Sequence, residues 1–123
     1  MRIGELVKIS GLSKDTIRYY EKFGLLCEIT RPNKFNNYKN YGKKNITRLE
    51  LIKEMKKLGF TLSECKEVID AIMKNKLDED SQIKIIKDKL DFIEKQIEEL
   101  KKHRDLLKNL LNEKCNKKQL MDL

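Results

Sequence analysis

The chain has 123 residues, of which 39% are charged and six are glycine or proline, a composition typical of one small helical domain with an extended element. No apolar run approaches the roughly 18 residues of a membrane span, and the first residues lack the apolar core of a secretory signal, so we expect a cytoplasmic protein without membrane partners. The net charge of +8 lies in residues 1–60, with 14 basic and 6 acidic side chains, whereas residues 61–123 carry 14 of each. This asymmetry favours nucleic acid as the partner of the first half.

Two short helices open the chain. Apolar residues at positions 3, 6, 7 and 9 predict a first helix, which Ser10-Gly11 ends. Ser13 is a suitable N-cap for a second helix, with Asp15 in its first turn and Gly24 just beyond its end. Two helices joined by a short turn containing glycine form a helix-turn-helix, in which the second helix normally enters a groove of the nucleic acid.

Residues 29–44 differ in composition from the helices around them. They combine β-branched, aromatic and basic residues around Pro32-Asn33 and Asn36-Asn37, and they include five basic side chains and no acidic one. Because asparagine tolerates the left-handed backbone of a hairpin loop, this segment predicts a two-stranded β wing.

A pair of helices and one long helix follow the wing. An apolar stripe from Lys43 to Leu58 predicts the third helix, and Thr61 with Glu64 forms a capping-box pattern that opens the fourth. A heptad seam of four repeats then predicts a rod of about 32 residues, or roughly 50 Å. One helix cannot bury such a seam, so we expect a homodimer. The apolar seam residues, interrupted at Arg104, are Ile83, Ile86, Leu90, Ile93, Ile97, Leu100, Leu107 and Leu111.

The second helix carries a recognisable motif. Arg18-Tyr19-Tyr20-Glu21, followed by Gly24-Leu25, resembles the recognition segment of the MerR family of bacterial transcription regulators. Residues 31 and 38–41 are similar to the wing of that family, and residues 58–64 to the junction between its third and fourth helices. The resemblance covers residues 1–112.

The resemblance implies a mainly α fold with a winged helix-turn-helix head, a two-stranded β wing, a helix pair and a long C-terminal helix that forms an antiparallel coiled-coil dimer. On this basis residues 1–76 are the DNA-binding domain, residues 77–114 the dimerisation helix and residues 115–123 a short C-terminal tail. The apolar tail residues Leu120, Met121 and Leu123 either dock on the partner's head or are frayed.

The residue types of the motif suit DNA binding. Arg18 can bridge phosphates or read a guanine edge, and Lys56 matches a basic position that the family uses as a phosphate clamp. Tyr19 and Tyr38 are the expected outward-facing pair, whereas Tyr20 is equally suited to the core. The candidate DNA-binding residues are Lys14, Thr16, Arg18, Tyr19, Tyr20, Arg31, Tyr38, Lys39, Tyr41 and Lys56.

Two positions depart from the family pattern. Asp15 stands where the family often has a basic residue, so we expect an altered DNA contact there. The wing loop is about two residues longer than usual and has Asn37 in place of the customary glycine, so the operator details are expected to differ.

The resemblance also implies a mechanism. A homodimer binds a two-fold symmetric operator in double-stranded DNA, within a promoter whose spacer is too long. When an inducer binds, the dimer distorts the DNA so that RNA polymerase can use the promoter. A non-inducible architectural factor or repressor with the same head and coiled coil is the alternative. An RNA-binding module fits less well because the rod is neutral, and an enzyme because the chain has one histidine and no Gly-rich phosphate loop.

The cysteines bear on what the protein senses. Cys27, Cys65 and Cys115 are odd in number and widely spaced, so we expect no disulfide, no metal site within one chain and no cofactor. Cys65 is predicted to be a buried structural thiol. The sequence leaves three alternatives for the inducer: a small apolar cation or drug, an oxidant that acts at Cys27 or Cys115, or no effector at all.

Overall fold

A computed structural model describes residues 1–32, 35 and 38–121 of the chain. Its elements follow the predicted order and confirm the mainly α fold with a β wing. They are α1 (Ile3–Ser10), α2 (Lys14–Lys22), β1 (Ile29–Thr30), β2 (Asn40–Tyr41), α3 (Lys44–Lys57), α4 (Leu62–Met73) and α5 (Glu79–Met121). Two compact units result, the head Met1–Asp78 and a second unit that begins at Glu79.

The predicted helix ends are confirmed by their hydrogen bonds. Gly11, at φ 73°, ends α1 in the left-handed conformation that glycine adopts without strain. The Ser13 side chain accepts a hydrogen bond from the Thr16 amide at 3.1 Å and so caps α2. At the start of α4, the Glu64 amide donates to the Thr61 hydroxyl at 3.1 Å, and the Thr61 amide donates to the Glu64 carboxylate at 3.0 Å. This is the predicted capping box.

The core of the head lies between α1, α2, α3 and α4. Its fully buried apolar side chains are Leu6, Ile17, Leu25, Leu49, Ile52 and Cys65. Asn45 is also fully buried, and its side chain accepts a hydrogen bond from the Cys27 amide at 2.9 Å and donates one to the Cys27 carbonyl at 2.7 Å. The segment between α2 and β1 is thereby fixed to the first turn of α3.

The wing is shorter than its sequence suggests. The two strands pair antiparallel through Ile29 with Tyr41 and Thr30 with Asn40. Pro32 has no amide to donate to a ladder, which limits β1 on that side. The predicted loop residues 33, 36 and 37 lie outside the described residues, while Tyr38 and Lys39 directly precede β2.

The long helix α5 contains 43 residues and measures roughly 65 Å. It continues past residue 114, where we predicted its end, because residues 112–121 contain no glycine or proline to stop it. Most of the predicted tail is therefore helical, and Leu123 lies outside the described residues. None of the described helices is long and apolar enough to cross a membrane.

Candidate nucleic-acid interface

A basic groove of about 450 Å³ lies on the head where the first turn of α1, helix α2 and the end of the wing meet. Among the described residues, five basic side chains and one carboxylate line it, so the groove is suited to an anionic partner. Its lining residues are Arg2, Ile3, Gly4, Lys14, Arg18, Glu21, Lys22, Tyr38, Lys39 and Tyr41.

Helix α2 presents three of these cations on one face. Lys14, Arg18 and Lys22 are spaced four residues apart and are all exposed, whereas Ile17 and Tyr20 on the other side are buried in the core. Like charges at this spacing destabilise an isolated helix by roughly 0.2–0.5 kcal/mol per pair. A polyanion in the groove would relieve this repulsion.

The wing is joined to α2 through the carboxylate of Glu21. This carboxylate accepts a hydrogen bond from the Tyr41 hydroxyl at 2.6 Å and forms an ion pair with Lys39. Burial acts to raise the pKa of Glu21, but the hydrogen bonds from Lys39 and Tyr41 and the charges of Lys39 and Arg31 outweigh it, and the pKa is lowered. Burial, together with the bond to Glu21, raises the pKa of Tyr41 to about 12. At neutral pH the ionised carboxylate and the neutral phenol thus lock the wing to the recognition helix.

Arg2 forms the opposite wall of the groove. Its guanidinium carbon lies 4.5 Å from the centre of the Tyr38 ring, a cation–π contact between the start of α1 and the wing. Sequence reasoning missed both Arg2 and the linking role of Glu21. Their partners lie 36 and 18–20 positions away, and no local pattern connects residues so far apart.

The four tyrosines divide into two groups. Tyr19 and Tyr38 expose 54% and 60% of their surface, which confirms them as the outward-facing pair. Tyr20 and Tyr41 expose only 8% and 3%. Their prediction as DNA contacts is therefore corrected: Tyr20 packs in the core, where burial raises its pKa, and the Tyr41 hydroxyl is bonded to Glu21.

The remaining predicted contacts do not all meet in the groove. Lys14, Arg18, Tyr38 and Lys39 line it. The Thr16 side chain is half-buried, and its hydroxyl accepts a hydrogen bond from Ser13 at 2.8 Å within the N-cap of α2. Arg31 and Lys56 are exposed elsewhere on the head, and neither is among the lining residues.

The seam of α5 is open along its length. Seven of its apolar side chains expose between 43% and 65% of their surface, and the eighth, Ile93, is half-buried. Phe92, Leu106 and Leu110, at other positions of α5, are exposed as well. Arg104 pairs with its neighbour Asp105 at 3.3 Å, both exposed to solvent. An apolar stripe of this kind marks an interaction surface.

The cysteines lie on separate parts of the chain. Cys65 is buried in α4, as predicted, and burial raises the pKa of its thiol. Cys27 is half-buried between α2 and β1, and Cys115 is exposed on α5. Within the described residues, no three His, Cys, Asp or Glu side chains are grouped so that they could hold a metal ion.

Comparison with known families gives two matches. A family model described as "MerR HTH family regulatory protein" matches residues 1–72. A second, described as "MerR, DNA binding", matches residues 46–110. Together they span the groove-bearing head and most of the seam.

Individual relatives agree with these matches. A mercuric resistance operon regulatory protein of Bacillus cereus is 36% identical over 93% of this chain and 84% of its own length. The transcriptional regulator HmrR of Rhizobium leguminosarum bv. viciae is 33% identical over 91% of this chain and 84% of its own length. Among solved structures, the transcription regulator PbrR691 of Ralstonia metallidurans CH34, determined with Lead(II), matches at a TM-score of 0.76 and 27% identity, covering 91% of this chain and 83% of its own.

Proposed function

The chain belongs to the MerR family of DNA-binding transcriptional regulators, and from that premise we propose that two copies act together on one promoter. In this proposal the head, residues 1–76, binds double-stranded DNA, and the long helix joins the two copies. The protein acts by binding rather than by catalysis, in the cytoplasm where bacterial promoters are.

The exposed seam of α5 carries the proposal of a homodimer. Burying a Leu or Ile side chain fully is worth roughly 1.5–3 kcal/mol relative to leaving it in water. Eight such residues repeat along one face, so a second α5 offers a large gain in free energy. We propose the antiparallel pairing that the family resemblance implies, which is two-fold symmetric and presents two identical heads.

The groove supports a specific placement of each head on DNA. We propose that Lys14 and Arg18, which are exposed on α2, meet base edges and phosphates in the major groove. Tyr19, Tyr38 and Lys39 are proposed to contact the adjoining backbone. Arg31 and Lys56, which lie away from the groove, are proposed as flanking phosphate contacts.

We propose that regulation works through the shape of the DNA. The dimer holds a promoter whose spacer is too long and, on induction, bends and untwists it so that RNA polymerase recognises both promoter elements. Bending a site of this size costs on the order of 1–6 kcal/mol, which contacts with two heads can offset. A small inducer is supported by relatives named for mercuric resistance or bound to Lead(II). Among the described residues, Cys115 is the one exposed thiol. A single thiol does not supply enough ligands to hold such a metal within one chain.

The proposal is tested first by selecting the operator. The purified protein should enrich an inverted repeat from a random duplex library, with half-sites one helical turn or a multiple of it apart. A single non-repeated site, or enrichment of RNA over duplex DNA in competition, would contradict it.

The switch is tested on the selected promoter by transcription in vitro. Shortening the spacer by deletion should raise transcription without the protein. The deletion brings the two promoter elements into the relative position that the induced dimer is proposed to produce by distorting the DNA. If the shortened promoter stays silent, or if the protein represses both promoters alike, the protein is a repressor or architectural factor instead.

A further inference from the structure

The segment Arg2–Gly4, which is the N-cap and the start of α1, forms one wall of the groove, outside helix α2 and the wing. Arg2 is exposed, and its guanidinium makes no ion pair and no hydrogen bond to the described residues beyond its contact with the Tyr38 ring. A guanidinium has five N–H donors, and stacking on a ring face uses none of them. The contact therefore orients the group and leaves its donor edge available for an acceptor in the groove.

Gly4 gives a second, independent observation in the same wall. It lies in the first turn of α1, where glycine is less favourable than alanine. A Cβ built on Gly4 would meet no protein atom within 4 Å, so packing within the protein does not explain why this position is glycine. The space beside its backbone opens into the groove.

The charges of the groove select the occupant. Lys14, Arg18 and Lys22 line it together with Arg2, and Glu21, the only carboxylate among the described lining residues, is already bonded to Lys39 and Tyr41. Among these residues, an anion entering beside Gly4 thus meets four cations, of which Arg2 is oriented by Tyr38, and no unpaired carboxylate.

We propose that Arg2, held by Tyr38, binds a phosphate of the operator, and that the sugar–phosphate backbone passes directly against Gly4. This inference rests on the proposed function, since the phosphate belongs to the DNA held by the recognition helix. It extends the interface of each head to the start of α1 and gives Tyr38 the role of a positioning residue.

The test measures binding of the selected operator duplex over a range of salt concentrations. Replacing Arg2→Ala in both heads should weaken binding roughly ten-fold and lower the slope of log K against log salt by about 1.8, or about 0.9 for each lost phosphate contact. The matched control is Lys8→Ala, which removes an exposed cation from the same helix outside the groove and should leave the slope within error of the wild type.

Two further variants separate contact from folding. Gly4→Ala should weaken binding several-fold while the melting temperature stays equal or rises, because alanine favours the helix. Tyr38→Phe removes the hydroxyl proposed to contact the DNA backbone and should lower the affinity, but it keeps the stacking ring and should not lower the slope. Tyr38→Leu removes the ring as well, and its slope should approach that of Arg2→Ala.

The outcomes distinguish this inference from the function on which it rests. If the wild type binds the operator but Arg2→Ala and Lys8→Ala give equal slopes, or if Gly4→Ala binds like the wild type, the inference is wrong and the proposed function stands. If the wild type binds no duplex even in dilute salt, both fail together.

Discussion

At the scale of single residues, Glu21 holds the interface together. Its carboxylate joins a recognition helix to a wing whose strands contain only two residues each, and such a short hairpin has little stability of its own. The position of Lys39 beside the groove therefore depends on a residue that does not itself need to contact DNA.

Replacing Glu21→Gln should loosen this link. The neutral amide cannot form an ion pair with the Lys39 ammonium, and we expect the free energy of unfolding to fall by about 1.5–3 kcal/mol, the value of a hydrogen bond to a charged group. Operator affinity should fall several-fold, because displacement of the wing outweighs the gain from removing one negative charge. Chemical denaturation and fluorescence anisotropy measure the two effects.

The control for this prediction is Asp15→Asn, which neutralises an exposed acid on the same helix outside the groove. It should lower stability by less than about 1 kcal/mol, through the lost helix-dipole interaction, and should not weaken DNA binding. Equal effects of the two variants would refute the special role of Glu21.

Tyr41 predicts a pH dependence in alkaline solution. Its hydroxyl keeps its proton in the folded chain up to about pH 12 but loses it near the ordinary value of 10.0 once unfolded. The unfolded state gains by releasing that proton, so this contribution to stability is complete below pH 10 and is lost as the pH rises towards 12. The Tyr41→Phe variant should lack this part of the decline, and denaturation curves across the range measure it. An identical decline in the variant would contradict the assignment.

Glu21 acts in the opposite pH range. Its folded pKa lies below the ordinary value of 4.5, so its contribution is present above that pH and is lost as the pH falls through the folded value. Glu21→Gln should flatten this acid limb.

Local periodicity predicts which residues of a helix are buried and which are exposed, but it does not predict their long-range partners. The 3.6-residue period places Ile17 and Tyr20 together and leaves Tyr19 outside, so the sequence contains the information that separates the two adjacent tyrosines. By contrast, Tyr41 was assigned to DNA from its place in the wing motif. Only the fold shows that its ring turns inward and that its hydroxyl meets Glu21.

At the scale of elements, the boundaries were predictable wherever a side chain makes the cap. Ser13 and the Thr61–Glu64 box act on amides three residues away, which a sequence pattern can register. The end of α5 has no such signal, because the helix runs past residue 114 through mostly good helix formers and meets no glycine or proline that would stop it.

A buried polar residue, Asn45, connects α3 to the segment that precedes the first wing strand. Asn45→Ala would leave both the amide and the carbonyl of Cys27 without their partner. We expect a loss of about 2–6 kcal/mol in the free energy of unfolding, from two part-buried groups at roughly 1–3 kcal/mol each. Urea denaturation measures it.

The matched control is Asn109→Ala on the exposed surface of α5, which should change stability by less than about 0.5 kcal/mol. If the two alanine variants prove equally stable, Asn45 does not fix the wing to α3.

At the scale of the whole molecule, the charge distribution and the seam assign DNA binding to the first unit and dimerisation to the second in the proposed function. The surplus cations lie in residues 1–60, and the apolar heptads lie in the neutral second half. Both features were readable from the sequence because each is a sum over many residues. The groove was not, since it joins side chains of α1, α2 and the wing that only the fold brings together.

Breaking the seam should separate the two heads. Leu100→Lys places a charge on an exposed seam position, which leaves the single chain folded but should weaken dimerisation roughly a hundred-fold or more, because apolar burial is lost and a charge is placed in the interface. Asn109→Lys adds the same charge on the opposite face of α5 and should leave the dimer intact. Sedimentation velocity at micromolar concentration compares them, and equal dissociation of the two variants would place the interface elsewhere.

The most direct test is the mass of the complex between the wild-type protein and its selected operator duplex in dilute salt, measured by sedimentation velocity. Two linked heads require two chains on each duplex, with no species carrying a single chain at intermediate ratios. One chain per duplex, or no complex at all in dilute salt, would contradict the account.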